Sequence, residues 1–223
     1  MKRIAIVQPI YLPWLGYFDM MRSVDTFVLY DHVQFARRSW QQRNRIRNAR
    51  GVVLLTVPVL KRGRREQAIC EVEIDRTQHF PEKHIKTIKL SYGRAKSFDS
   101  FFPKVEAVYR KGHSLLCDLN EDFIQLGREA LGITTPLVRS RDLGVQGNKV
   151  EALIDVCRKL EADYYLSSVG AKEYIDENNL FESHGICLEY QNYKHPSYWQ
   201  MDYPEFVSRL SFIDYLFNQD CGK

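Results

Sequence analysis

The apolar run Ile4–Val7 stops at Gln8-Pro9, and a turn containing Tyr11, Pro13, Trp14 and Gly16 follows it. A short helical pattern comes next, then a second apolar run, Thr26–Tyr30, that ends on Asp31. This order constrains the fold more than any other feature. A strand without polar alternation is buried on both faces, and two such strands joined through a helix run parallel. The pattern predicts strands over about 3–8 and 26–31, with a helix over 16–23 between them. In open α/β sheets ligands bind outside the carboxyl ends of the strands. Gln8 and Asp31 are therefore the first site candidates.

Strands and helices alternate again near the other end of the chain. Thr134–Val138 reads as a strand, 149–160 as a helix, 164–166 as a strand, a helix starts near Ala171, and 186–190 is a further strand. Val150, Leu153, Ile154, Cys157 and Leu160 share one face of the 149–160 helix, with Asn148 and Glu151 as its expected cap. Between the two ends, Val52–Val59 reads as a strand opened by the Arg50-Gly51 turn. Residues 69–74 alternate apolar and acidic with period two. The pair predicts a hairpin across the polar loop 61–67. Amphipathic helices are expected over 80–93, 98–110 and 115–131. The expected fold is α/β: a Rossmann-like, mostly parallel sheet with flanking helices, a β-hairpin elaboration and a helical insertion over about 78–132. The whole of 1–223 is expected to form a single domain.

Five cysteines at 70, 117, 157, 187 and 221 are widely spaced, and none forms a C-x-x-C pair. That predicts reduced thiols in a cytoplasm and no zinc knuckle. The first apolar run breaks after four residues at Gln8-Pro9, unlike a secretory signal. No stretch approaches the roughly 20 apolar residues of a membrane span.

From Arg37 to Arg65 the chain holds ten Lys or Arg and no Asp or Glu. Such a run is either a solvated loop or a phosphate-binding surface. Trp40, Arg43 and Asn44 lie within it, and arginine forks suit phosphate and carboxylate. DNA is not the expected partner, because the net charge is only +4 and the rest of the chain is net acidic by about six. Residues 190–200 gather Gln191, Asn192, His195 and Gln200 among Tyr190, Tyr193, Tyr198 and Trp199. Rings with amides suit a sugar, and His195 is either a proton-transfer group or a hydrogen-bond support. Ser167, Ser168 and Gly170 mark a strand-to-helix turn that is either an anion cradle or a serine N-cap, with Tyr174 in the following turn. The Asp31-His32 pair is not expected to bind a metal, because neighbours on a strand point to opposite faces. Phe206, Leu210, Phe212, Ile213, Leu216 and Phe217 predict a docking helix, with Ser211 and Asp214 as cap or staple.

Several of these pieces together resemble the WbqC-like family of bacterial proteins. They are Gln8-Pro9 with Tyr11, Pro13, Gly16 and Tyr17; Asp31, Val33, Gln34 and Phe35; Trp40, Arg43, Asn44 and Pro58-Val59. Further along they are Tyr165–Ser168 with Gly170 and Tyr174, His195-Pro196 with Tyr198 and Gln200, and Leu210-Ser211 with Asp214. The resemblance covers nearly the whole chain. It implies a place in O-antigen or other surface-polysaccharide gene clusters and transfer of an acyl or aminoacyl group, glycyl among them, to a sugar.

In that reading His195 or Asp31 takes the acceptor's proton. Gln8, Gln34 and Asn44 orient the acceptor, and Arg43 holds its phosphates. The Ser167–Gly170 turn binds a carboxylate or oxyanion, and Tyr11, Tyr17, Trp40, Tyr174 and Gln200 complete the substrate surface. No cofactor is expected beyond the donor, which would be coenzyme A, a carrier protein or a charged tRNA. Two alternatives stand beside this. One is a nucleotide-activating enzyme related to HIGH-type nucleotidyltransferases, although Trp14 and Tyr17 occupy the places of that motif's two histidines. The other is a non-catalytic sugar-nucleotide-binding protein.

Overall fold

The computed structural model describes residues 1–175, 179–201 and 205–219, with the backbone but not the side chains of Glu173 and Tyr174. Cys221 lies outside these residues. The chain forms two compact units, each built from three separated segments. The first holds Met1–Gln8, Asp19–His32 and Ile133–Lys194; the second holds Pro9–Phe18, Val33–Gly132 and His195–Lys223.

The first unit contains a five-stranded sheet of β1 (Arg3–Val7), β2 (Thr26–Leu29), β5 (Leu137–Arg139), β6 (Tyr164–Ser167) and β7 (Cys187–Tyr190). Its order is β5-β2-β1-β6-β7, and every ladder in it is parallel. Taken in chain order, these five strands run 3-2-1-4-5, so the direction of winding reverses between β1 and β6. Such a reversal opens the crevice in which doubly wound folds bind ligands. Residues 4–6 of β1 and all of β2 are buried, as uninterrupted apolar strands require. Helix α5 (Val150–Lys159) contributes Leu153, Ile154, Val156 and Cys157 to a core shared with Ile4, Ile6, Val28 and Tyr165. Its cap differs from the expectation. Lys149 precedes the helix with φ 51° and makes no side-chain cap bond, while Asn148 offers only its carbonyl to the Glu151 N–H.

In the second unit, β3 (Arg43–Asn48) and β4 (Gly51–Thr56) form an antiparallel hairpin. Gly51, at φ 124°, turns the chain where L side chains rarely go. The partner of β4 corrects the expected pairing with 69–74. β3 lies in the basic stretch read as a loop or anion surface, where Arg-Asn-Arg-Ile-Arg-Asn has little strand propensity. Its even positions Asn44 and Ile46 are buried, and this burial holds the strand. The 69–74 segment starts instead as a 3-10 turn, Ile69–Glu71, whose Glu71 carboxylate accepts from the Ala68 N–H. Only an isolated bridge, Val59 to Ile74, remains of the expected ladder.

Helices α2 (Phe80–Tyr92), α3 (Phe98–Arg110) and α4 (Leu116–Ala130) follow the apolar periodicity closely. The docking helix is α8 (Phe212–Asn218), capped by Ser211, whose hydroxyl accepts from the Ile213 N–H. Phe217 packs on Phe98 and Tyr92 with ring centroids 5.4 and 5.1 Å apart.

Gly127 of α4 fixes how closely the second unit packs. A Cβ there would lie 2.2 Å from Cζ of Phe18, which is fully enclosed. Gly127→Ala therefore overpacks an immobile ring. A loss of about 1–3 kcal/mol is expected, read as a thermal midpoint roughly 2–4 °C lower for each kcal/mol. An unchanged midpoint would show that Phe18 has room to move.

Candidate functional site

The carboxyl edge of the first unit's sheet gathers polar groups from four strands. Gln8 follows β1, Asp31 and His32 follow β2, Ser140 and Arg141 follow β5, and Ser167 closes β6. Asp31 is fully buried, and its Oδ1 accepts from the Ser140 hydroxyl at 3.0 Å and the Arg141 N–H at 3.1 Å. The Arg141 guanidinium Nε stands 3.3 Å from Oδ2, which offsets the cost of burying the charge.

Ser140 is the centre of this group. Its Oγ donates to Asp31, accepts from the Asp31 backbone N–H at 3.0 Å, and lies 2.7 Å from His32 Nδ1. A hydroxyl has one proton to give and two lone pairs to receive. The proton goes to the carboxylate, which only accepts, so His32 Nδ1 must be the donor. The neutral imidazole then carries its proton on Nδ1 and its lone pair on Nε2. Tyr30 packs edge-on against the ring at 4.9 Å, and burial lowers the His32 pKa against an upward pull from Asp31.

Ser167 is 2% exposed, and among the described residues its Oγ has no hydrogen-bond partner. Its backbone carbonyl accepts from the Gln191 N–H at 2.8 Å, and the Gln191 amide donates to Asp19 at 2.9 Å. Ser168 and Gly170 are exposed, and Ser168 makes no side-chain cap bond. The helix after them, α6, is described over Lys172–Ile175 and continues directly from a 3-10 turn at Val169–Ala171. Tyr174 lies on it, its side chain outside the described set. Lys172 sits over the Tyr190 ring at 5.6 Å.

The remaining candidates belong to the second unit, and most are committed to holding it together. Tyr11 is fully buried, and its hydroxyl meets both Tyr109 Oη and His84 Nδ1. Asn44 donates to the Tyr11 and Leu12 carbonyls at 3.0 and 2.8 Å, pinning a loop in which Leu12 has φ 45°. Tyr17 is buried, which pushes its hydroxyl pKa up. Gly16 makes room for the Trp14 ring, which lies 2.2 Å from where a Cβ would stand.

Gln34 is exposed and donates to the Arg65 carbonyl, and Trp40 is a half-exposed ring under Arg45 at 5.5 Å. Arg43 lies on β3 opposite Thr56. Gln200 is buried, bridging Arg47 to Asp214, whose carboxyl pKa is raised by burial against donors from Tyr92, Tyr198 and Gln200 itself. His195 stacks near Trp14, and its Nε2 accepts from the Arg209 N–H at 3.3 Å. Burial and Arg209 both lower its pKa. His195 thus belongs to the second unit and Asp31 to the first.

The profile of the WbqC-like protein family matches residues 8–223. The uncharacterized protein Rv1507c of Mycobacterium tuberculosis (strain ATCC 25618 / H37Rv) is 34% identical over 219 residues, covering 98% of this chain and 94% of that protein. No solved structure matches the chain.

Sequence reasoning missed Ser140, Arg141 and the orientation of His32. The signal available was the polar Arg139-Ser140-Arg141 directly after an apolar strand, the same signal that marked Asp31. It also missed His84, whose burial has a consequence that solution experiments can read. His84 is held neutral, its pKa pushed down to about 4 by burial against a hydrogen bond to Thr56. The unfolded chain takes up this proton near 6.5 and the folded chain only near 4. Stability is therefore full above the unfolded value and falls as pH drops from 6.5 toward 4, by roughly 3 kcal/mol. Urea titrations across that window should show the loss in the wild type and a flatter limb in His84→Gln. Parallel limbs would assign the acid sensitivity to other groups.

Proposed function

The chain belongs to the WbqC-like protein family, and from that membership and the sheet-edge geometry we propose an enzyme of surface-polysaccharide sugar biosynthesis. It transfers an acyl or aminoacyl group to an amine or hydroxyl of a nucleotide-linked sugar. The observation that carries the reading is the Ser167 hydroxyl. It is buried and, among the described residues, without a partner at the end of β6, beside the point where the sheet reverses. An unsatisfied buried hydroxyl costs about 1–3 kcal/mol, and such groups persist where a ligand completes them. Gln8 and Asp31 stand at the ends of the next two strands, the polar lining that a sugar's hydroxyls and a reacting amine require.

The strand order favours a second reading, because 3-2-1-4-5 is also the order of nucleotide-binding sheets. An activating enzyme would release pyrophosphate from ATP in the presence of an amino acid, which the transferase would not.

Purified protein incubated with nucleotide amino sugars and coenzyme A thioesters, acyl-carrier thioesters or aminoacyl-tRNA should give a mass-shifted sugar. Ser167→Ala should lower turnover at least about tenfold, the equivalent of 1.4 kcal/mol. It should leave the thermal midpoint unchanged or higher, because it breaks no hydrogen bond among the described residues. Full turnover with a lower midpoint would make Ser167 a packing residue and remove the observation on which the reading stands.

A further inference from the structure

We propose that His32 is the general base of the sheet-edge site, fixed in its reactive tautomer by the Ser140 hydroxyl and the buried Asp31 carboxylate. The inference rests on the transferase reading and deepens it by naming the group that moves the proton. Asp31 Oδ1 accepts the Ser140 hydroxyl proton, and the Asp31 backbone N–H occupies one Ser140 lone pair. The position left on Ser140 Oγ is an acceptor, 2.7 Å from His32 Nδ1. The imidazole proton is thereby held on Nδ1, and Nε2 carries the lone pair.

The alternative hydrogen placement, with Ser140 donating to His32, would set its oxygen lone pairs against a carboxylate oxygen 3.0 Å away. The Arg141 guanidinium Nε stands 3.3 Å from the other oxygen of the same carboxylate, a second donor matched to an acceptor-only group. Asp31 holds the hydroxyl, the hydroxyl holds the ring, and the Tyr30 edge holds the ring plane. The order is acid, hydroxyl, imidazole. Ser140 is therefore a positioning residue whose hydrogen-bonding capacity is filled, and it is not a nucleophile. The ring is partly exposed and burial favours its neutral form, as a base requires.

The acceptor's amine or hydroxyl attacks the carbonyl carbon of an acyl thioester or ester, and its proton passes to His32 Nε2 as the new N–C or O–C bond forms. The tetrahedral adduct collapses with cleavage of the C–S or C–O bond, and the imidazolium returns the same proton to the departing thiolate or alkoxide. The products are the acylated sugar and the free thiol or alcohol, with His32 neutral again.

Long-range proton–nitrogen correlation spectra of the 15N-labelled protein read the tautomer without any substrate. Neutral His32, identified by its absence from His32→Asn, should show Nδ1–H and a bare Nε2, and Ser140→Ala should release that preference. The Asn side chain can still donate to Ser140, so this variant keeps the anchor and removes the base. Its kcat with a thioester donor and a nucleotide amino sugar should fall about 10²–10⁴-fold with little change in KM. His32→Ala should regain turnover with added imidazole, a rescue that a structural role does not predict. An Nε2–H tautomer overturns the proposal whatever the reaction. Wild-type kcat in His32→Asn overturns it while the transferase reading stands. Absence of turnover in the wild type with every donor class overturns the transferase reading and, with it, the assignment of a base.

Discussion

β1 is laddered on both sides, and the position of every polar group at the sheet edge follows from that register. Ile6 stands opposite Val28, and Ala5 stands opposite Leu166. The strands run parallel, so Gln8, Asp31 and Ser167 all emerge at the same end. The pairing of Leu29 with Arg139 brings Ser140 to Asp31. A slip of one residue would turn Ile4 and Ile6 away from the α5 core. The apolar side chains of β1 therefore enforce the arrangement of groups they never touch.

Much of this was legible in the sequence where apolar spacing is strong. α2, α3, α4 and α5, and the strands of the sheet, lie within a few residues of where periodicity puts them. What failed was set by long-range pairing. β3 has a loop-like composition and exists because Asn44 and Ile46 are buried and β4 supplies its partner strand. The period-two pattern at 69–74 is real, and Ile69, Val72 and Ile74 are buried, yet the Ile69 N–H goes to the Val33 carbonyl. At the site, Asp31 was visible as an acid ending an apolar run. Ser140 carried the same local signal, but nothing local relates a serine to an aspartate 109 residues earlier.

The amide side chains show a second limit. Asn44, Gln200 and Asn120 are the residue types a sugar site uses. Here Asn44 fastens the Tyr11-Leu12 loop, Gln200 joins Arg47 to Asp214, and Asn120 donates to the Pro9 and Gln41 carbonyls. A buried amide that satisfies backbone carbonyls and one that reads a ligand have the same composition. Only their partners separate them, and partners are a property of the fold. Ser167 is separated in this way, by the absence of a partner for its hydroxyl among the described residues.

The interleaving of the two units also bears on how the chain is made. The polypeptide passes between them five times, and β2 must wait for β5, which begins 108 residues after β2 ends, before its second edge is covered. Parallel pairings this distant close large loops before they are repaid in contacts, which makes folding slow. At about 5–20 residues per second during synthesis, β2 leaves the ribosome several seconds before β5. Through that interval the apolar Thr26–Leu29 strand has one edge unpaired, as β1 has the edge that β6 later covers, so this pair of strands is where association between nascent chains would begin.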